Sequence, residues 1–320
     1  MDTTLGRSSL PWKDGDTWNS IDKAVADEHT ATAVAAKFLT PPVFVAQDAP
    51  MVQADALDPK ATDFLKVDQT AQVNIVEIWV EFKLTDQQVA NEVQWKTTVT
   101  LATGAANLLA RAEDLLIFQG SDGVNDSLFQ DGIVKLRDAS REHDILKPPF
   151  PIVGLLPADQ KISVDPVNGN PTDPNKNSYG ENTYAAVANG YALLQQQHYG
   201  RQALVLPTTA YADAYAAVTT ALSIPAINAD RLKGLLGGEK VLYGASTLPT
   251  FGTKKAPAKG VLVALDGITM DLVVAMAPTV EVLPKDSSGL YAFRVFERFA
   301  FRLKDKKAVV ELDFNQSTAG

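Results

Sequence analysis

Residues 85–120 carry apolar side chains at helical spacing for longer than an ordinary helix lasts. Thr85-Asp86-Gln87-Gln88 has the layout of a capping box, in which threonine and glutamine each satisfy a backbone N–H at the helix start. Val89, Val93, Leu101, Leu108, Ala112 and Leu115 then continue a mostly apolar stripe to Phe118. A helix of about 30 residues is about 45 Å long at 1.5 Å per residue, well beyond the usual three or four turns. A rod of that length has to cross whatever sheet the chain forms, with Gly104 as the expected place for a bend.

The stretch leading into the rod reads as extended chain. Val76, Ile78, Val80, Phe82 and Leu84 alternate with Glu77, Trp79, Glu81 and Lys83, the period of two of a strand with one buried face. Upstream, residues 48–69 are polar and interrupted by Pro50 and Pro59, with little to bury within their own domain. They are expected to form an extended two-stranded arm, which is marginal alone and needs a neighbour to cover it. Lys60 and Lys66 lie on this arm, with no residue pattern beside them that marks a cross-linking partner.

Ahead of the arm, Asp16 or Thr17 is positioned to cap a helix with Trp18, Ile21, Ala24 and Val25 on one face. It is expected to run to Phe38, stopped by Pro41-Pro42, which removes backbone donors. Residues 151–244 read as a second compact unit. It has a helix over 184–199, a strand over 203–206, a turn at Pro207 and a further helix over 211–220. Residues 157–182, rich in Asn, Pro and Gly, are expected as an exposed loop on the outer surface. Strands are expected again over 270–276 and 308–314. Between them, Phe293, Val295, Phe299, Phe301 and Leu303 alternate with Arg294, Phe296, Arg298 and Arg302.

A search for chemistry finds no constellation. His29, His143 and His198 are isolated in sequence, and there is no His-Glu-x-x-His, nucleophile elbow or dinucleotide glycine fingerprint. Gly237-Gly238-Glu239-Lys240 lacks the glycine spacing and the hydroxyl residue of a phosphate loop. Glu113 and Asp114 are adjacent, and adjacent residues on a helix point about 100° apart, so they do not converge on one atom and read as structural. The absence of cysteine among 320 residues excludes disulfides and thiolate chemistry, and a net charge of −9 argues against overall attraction to nucleic acid. No run approaches the roughly 18 apolar residues of a membrane span, and the polar start is unlike a signal peptide, so the expectation is a soluble cytoplasmic chain with no cofactor and no membrane partner.

Five motifs, in order, resemble one family. They are Leu10, Trp18 and Ile21-Asp22; Ala112-Glu113-Asp114-Leu115-Leu116-Ile117-Phe118-Gln119-Gly120; Tyr199-Gly200-Arg201-Gln202-Ala203-Leu204-Val205-Leu206; Met270-Asp271-Leu272-Val273-Val274; and Phe293-Arg294-Val295-Phe296-Glu297. The chain resembles the encapsulins, linocin-type shell proteins of bacteria and archaea related to tailed-phage capsids.

The resemblance implies an α+β chain of the Hong Kong 97 phage-like capsid fold. Its parts would be an N-terminal arm and luminal helix (1–46), an extension loop (47–84), a peripheral domain with the spine helix (85–150 and 245–320) and an axial domain (151–244). It further implies identical subunits closing into an icosahedral compartment that encloses a cargo protein held by a targeting peptide. Ile21, Val25, Met270 and Leu272 are the implied cargo contacts, and Leu222, Ser223, Ile224 and Pro225 the implied, nearly uncharged pore lining. No catalytic residue, metal or cofactor is implied. The alternative is a phage or prophage major capsid protein, found in a virion and enclosing nucleic acid. Such proteins often open with a scaffolding segment instead of this helix. A soluble hydrolase is the third reading.

Overall fold

A computed structural model of the chain describes residues 5–12, 15–39, 41–56, 67, 71–139, 152–168, 173, 177–218, 226–251, 256–266 and 269–317. Helix α1 (Gly15–Thr32) turns Trp18, Ile21 and Val25 into the core, as its apolar stripe requires. Ahead of it, Arg7 holds Asp22 through two bonds of 2.7 Å, donates to the Val280 carbonyl and lies 4.5 Å over the Trp18 ring. The helix does not run on to Phe38. A separate turn, α2 (Ala35–Phe38), follows, because the Asp114 carboxylate takes the N–H groups of Val34 at 2.9 Å and Ala35 at 2.8 Å. Those donors are thereby withdrawn from the helical ladder.

After β1 (Val43–Phe44) come the short arm strands β2 (Met51–Gln53) and β3 (Gln72–Asn74), paired antiparallel, and then β4 (Val76–Leu84). The rod that follows is in three pieces: α3 (Asp86–Ala90), α4 (Glu92–Trp95) and α5 (Thr97–Gln119). Thr85 and Gln88 form the expected capping box. The interruptions fall at Asn91 and Lys96 instead of Gly104. Lys96 takes a left-handed conformation with φ +51°, and the buried Glu92 side chain caps α5 by accepting from the Thr98 N–H at 2.8 Å and its hydroxyl at 2.7 Å. The uninterrupted part, 23 residues, is about 34 Å long.

The remaining elements are α6 (Ser127–Gln130), β5 (Lys135–Asp138), β6 (Gln160–Val164), α7 (Gly180–Gln196), β7 (Gln202–Pro207), α8 (Thr208–Ala214), β8 (Ala217–Val218), β9 (Ala226–Ile227), α9 (Asn228–Leu236), β10 (Leu242–Ala245), β11 (Ala258–Ala264), β12 (Met270–Leu283), β13 (Tyr291–Leu303) and β14 (Val309–Phe314). They build two five-stranded sheets that share one continuous apolar core.

The first sheet has the order β1-β12-β13-β4-β5, and α1 and α5 pack against it. β4 departs from the expected half-exposed strand, since Glu77 and Trp79 are buried along with Val76, Ile78 and Val80. It is an inner strand whose second face is roofed by arginines. Arg137 and Arg294 reach Glu77 at 2.7 and 3.2 Å, and the Arg137 guanidinium lies 5.5 Å from the Trp79 ring centroid. Polar positions of an alternating strand are thus buried by pairing.

The second sheet runs β10-β7-β11-β14-β6, with β7 buried along its whole length and α7 laid over β6, β11 and β14. Three expectations change here. β6 lies inside the stretch read as an exposed loop, where it pairs in parallel with β14. β11 and β14, expected alongside the spine helix, belong to this second sheet, since both are buried almost throughout and sit between apolar neighbours. The helix expected over 211–220 ends at Ala214, and β8 then pairs with β9.

Candidate functional site: the helix end and the assembly surfaces

Each polar residue closing α5 has a separate structural task. Asp114 caps α2, as described. Gln119 donates to the Thr247 carbonyl at 2.5 Å and so ties the helix end to the second sheet's edge. Gly120, with φ +57°, lets the backbone of Ile152 and Gly154 cross in contact. That crossing segment is bonded to the helix end by Leu155 and Leu156, which donate to the carbonyls of Ile117 and Phe118 at 2.9 Å each.

Glu113 points elsewhere, as adjacent helix positions require. It meets His29 of α1 and Glu297 of β13, with His29 Nε2 at 2.8 Å from Glu113 and 3.2 Å from Glu297. Burial disfavours a charged imidazole, but the carboxylates of Glu297 and Glu113 prevail and push its pKa up to about 11. Burial, reinforced by Glu113, raises Glu297 to about 7 against the pull of His29. Burial likewise lifts Asp114 to about 7 despite its two backbone donors. Sequence reasoning missed this convergence because its members come from three elements far apart in the chain. One signal was present: Glu297 has the parity of Phe293, Val295 and Phe299, so the alternation of β13 already put a carboxylate on the core face.

The base of the arm is fastened to the first sheet. Arg302 grips Asp271 through two bonds of 2.7 Å, donates to the Gln53 carbonyl at 2.9 Å and pairs with Asp55. Arg298 donates to the Gln47 carbonyl, and Ile75, Val273, Ala275 and Ala300 form a small apolar cluster against Val52 and Val73. Burial raises the Asp271 pKa, but Arg302 and Lys304 outweigh it and hold the carboxyl below its usual range. The arm is therefore anchored at its root, while Lys60 and Lys66 lie outside the described residues.

Large apolar side chains remain uncovered on several faces of the protomer. Phe44, on the edge strand β1, is 72% exposed, and Val93 and Trp95 of α4 are 75% and 47% exposed. A groove of about 310 Å³ lies beside Val93, lined by Asp16, Thr17 and Ser20 of α1 with Glu92, Lys96 and Val99 opposite.

The residues singled out from sequence fare differently. Ile21 and Val25 are fully enclosed, and Met270 and Leu272 are also buried, so within the protomer all four pack in the core. Their apolar character serves the packing of α1 on β12. Met270 alone borders a cleft, of about 270 Å³, with Phe38, Leu39, Pro41 and Val43. Leu222, Ser223, Ile224 and Pro225 lie outside the described residues, between the paired strands β8 and β9. Among the described residues no helix is long and apolar enough to cross a membrane.

Comparison with known proteins agrees with this geometry. Residues 1–142 match the family described as "Encapsulating protein for peroxidase". No curated protein sequence matches the chain. Among solved structures, the virus-like particle from Pyrococcus furiosus aligns with 92% of this chain and 99% of its own, at 17% identity and a TM-score of 0.60. The capsid of an empty GTA particle aligns over 91% and 90% at 14% identity, TM-score 0.51. Gordonia phage Cozz aligns over 89% and 87% at 11% identity, TM-score 0.53. The fold is thus that of the Hong Kong 97-like capsids over nearly the whole chain, and the encapsulin family's sequence pattern is present over its first 142 residues.

Proposed function

We propose that this chain, an encapsulin-type sequence on a capsid fold, is the protomer of an icosahedral shell that encloses a cargo protein in the cytoplasm. The carrying observation is the capsid fold running over 92% of the chain, with a two-stranded arm rooted on the first sheet. Such an arm and the exposed Phe44, Val93 and Trp95 are what a subunit with several neighbours would cover. The chain acts by assembling and is not itself an enzyme. Purified protein is expected to elute as particles and to appear as closed shells by negative-stain microscopy. A monomer under every assembly condition would sink the proposal.

A capsid enclosing nucleic acid is the second reading, favoured by the likeness to phage and GTA capsids. The family match over residues 1–142 and the net charge of −9 support the compartment instead. The ratio of nucleic-acid to protein absorbance in purified particles separates them.

Cargo capture is assigned to the groove between the start of α1 and α4, since the four residues first considered are core. Its apolar element is the exposed Val93, with Val99 also lining the groove and the exposed Ser20 for polar contact. Val93→Asp is expected to leave particle yield unchanged and to cut co-purified cargo by roughly tenfold, the effect of about 1.4 kcal/mol in binding. Undiminished loading in intact particles would rule out this groove.

A further inference from the structure

We infer that His29, Glu113 and Glu297 form a binding site for one borderline divalent cation of the Zn²⁺ class. The inference goes beyond the shell reading and does not depend on it. The ligand atoms of the three residues all lie within 4.8 Å of one another. Adjacent ligand atoms around a tetrahedral cation with bonds of about 2.0–2.1 Å stand about 3.3 Å apart. His29 Nε2 lies 2.8 and 3.2 Å from the two carboxylates, so little movement admits an ion.

Pairing within the cluster does not satisfy every atom. His29 Nε2 faces Glu113 at 2.8 Å and Glu297 at 3.2 Å, but Glu297 Oε1 is buried with no hydrogen-bond partner. Buried polar atoms are ordinarily satisfied, so an unpaired carboxylate oxygen beside two converging ligands calls for a further partner. Asp114 does not supply it, because its oxygens are engaged by Val34 and Ala35. Among the described residues no lysine or arginine ion pair reaches Glu113 or Glu297.

Charge balance points the same way. Two carboxylates with a neutral imidazole carry two negative charges, which one divalent cation cancels. A single proton on His29 leaves one negative charge, which either a second proton on Glu297 or a divalent cation in place of both protons cancels. The donor set selects the ion. An imidazole nitrogen beside two carboxylates suits Zn²⁺, Mn²⁺ or Fe²⁺, whereas Mg²⁺ and Ca²⁺ prefer all-oxygen shells. Glu297 Oε1 or a water would complete the fourth position, and the His29 side chain, still 12% exposed, marks the side of entry. Since the three ligands come from α1, α5 and β13, the bound ion joins the N-terminal helix to both layers of the first sheet's core.

Protein stripped with a chelator and titrated with Zn²⁺ near neutral pH is expected to take up one equivalent per protomer, with thermal stability rising on addition. Uptake is expected to weaken as pH falls, because protons compete for the ligands. Glu297→Gln and His29→Gln should each lose roughly tenfold or more in affinity. Glu239→Gln, on an exposed residue elsewhere, should lose nothing. Co²⁺ added to the unmodified protein should give the absorption of a low-symmetry site with nitrogen ligation, which keeps the inference testable if the variants do not fold. Absence of Zn²⁺ uptake above background, uptake unaltered in both folded variants, or a Co²⁺ spectrum of the hydrated ion would each overturn it. Uptake is measured per protomer, so the result stands apart from whether shells form.

Discussion

Gly120→Ala is expected to reduce the accumulation of folded protein sharply. The residue ends α5 with φ +57° and ψ −134°, a region open to glycine almost alone. A Cβ there would stand 2.4 Å from the Ile152 carbonyl oxygen and 2.7 Å from the Gly154 nitrogen. Both are backbone atoms, and the segment cannot retreat. Leu155 and Leu156 bind it to the last carbonyls of α5, and Ser121 donates to Ile152 at 3.0 Å. Backbone strain of about 1–3 kcal/mol and a clash of about 1–3 kcal/mol together reach the lower end of a typical domain stability of about 5–15 kcal/mol. Gly104→Ala is the internal control. Its Cβ would meet nothing within 4 Å, and it lies in helix interior, so stability should rise by about 0.5–1 kcal/mol. Denaturant titration of the two variants checks the pair, and equal midpoints would contradict the account.

Asp114→Ala is expected to be comparably damaging, at roughly 2–6 kcal/mol. The estimate rests on one buried and one partly buried N–H group losing this acceptor, at about 1–3 kcal/mol each. The consequence is local first. Without the carboxylate, α2 loses its start, and with it Phe38, whose ring stands 6.4 Å from Phe118 and 5.8 Å from Tyr243. Hydrogen exchange over residues 33–39 should accelerate before the rest of the chain. Asp114→Asn keeps one carbonyl oxygen and should recover part of the loss. Exchange over these residues as slow in the alanine variant as in the native chain would show that the cap does not hold α2.

These two residues also show how far the sequence could be read. The string holding Glu113, Asp114 and Gly120 carried a family resemblance and marked the end of a long helix, and adjacent carboxylates do take separate targets. Its physical meaning was out of reach, because Asp114 acts on Val34, Glu113 on His29 and Gly120 on Ile152, all distant in the chain. The helix interruptions were misplaced for a similar reason. Gly104 looked like the weak point by propensity, yet it stays helical between the buried Ala102 and Ala105, while Glu92 folds back as a cap where Lys96 breaks the rod. Ile21, Val25, Met270 and Leu272 were legible as apolar and important, but periodicity distinguishes a buried face from a binding face only when the neighbour is known.

Local patterning by itself determined the amphipathic first helix, the capping box at Thr85 and the alternating strands, and it carried the resemblance in motif order. Those signals are short-range: hydrogen bonds within one turn and side-chain periods of two or 3.6 residues. Only the tertiary structure decided which sheet β11 and β14 joined, that β4 was roofed by arginines, and that one histidine met two glutamates in the interior. Pairing between strands and convergence of charges depend on which distant segments share a neighbourhood, and no local period encodes that.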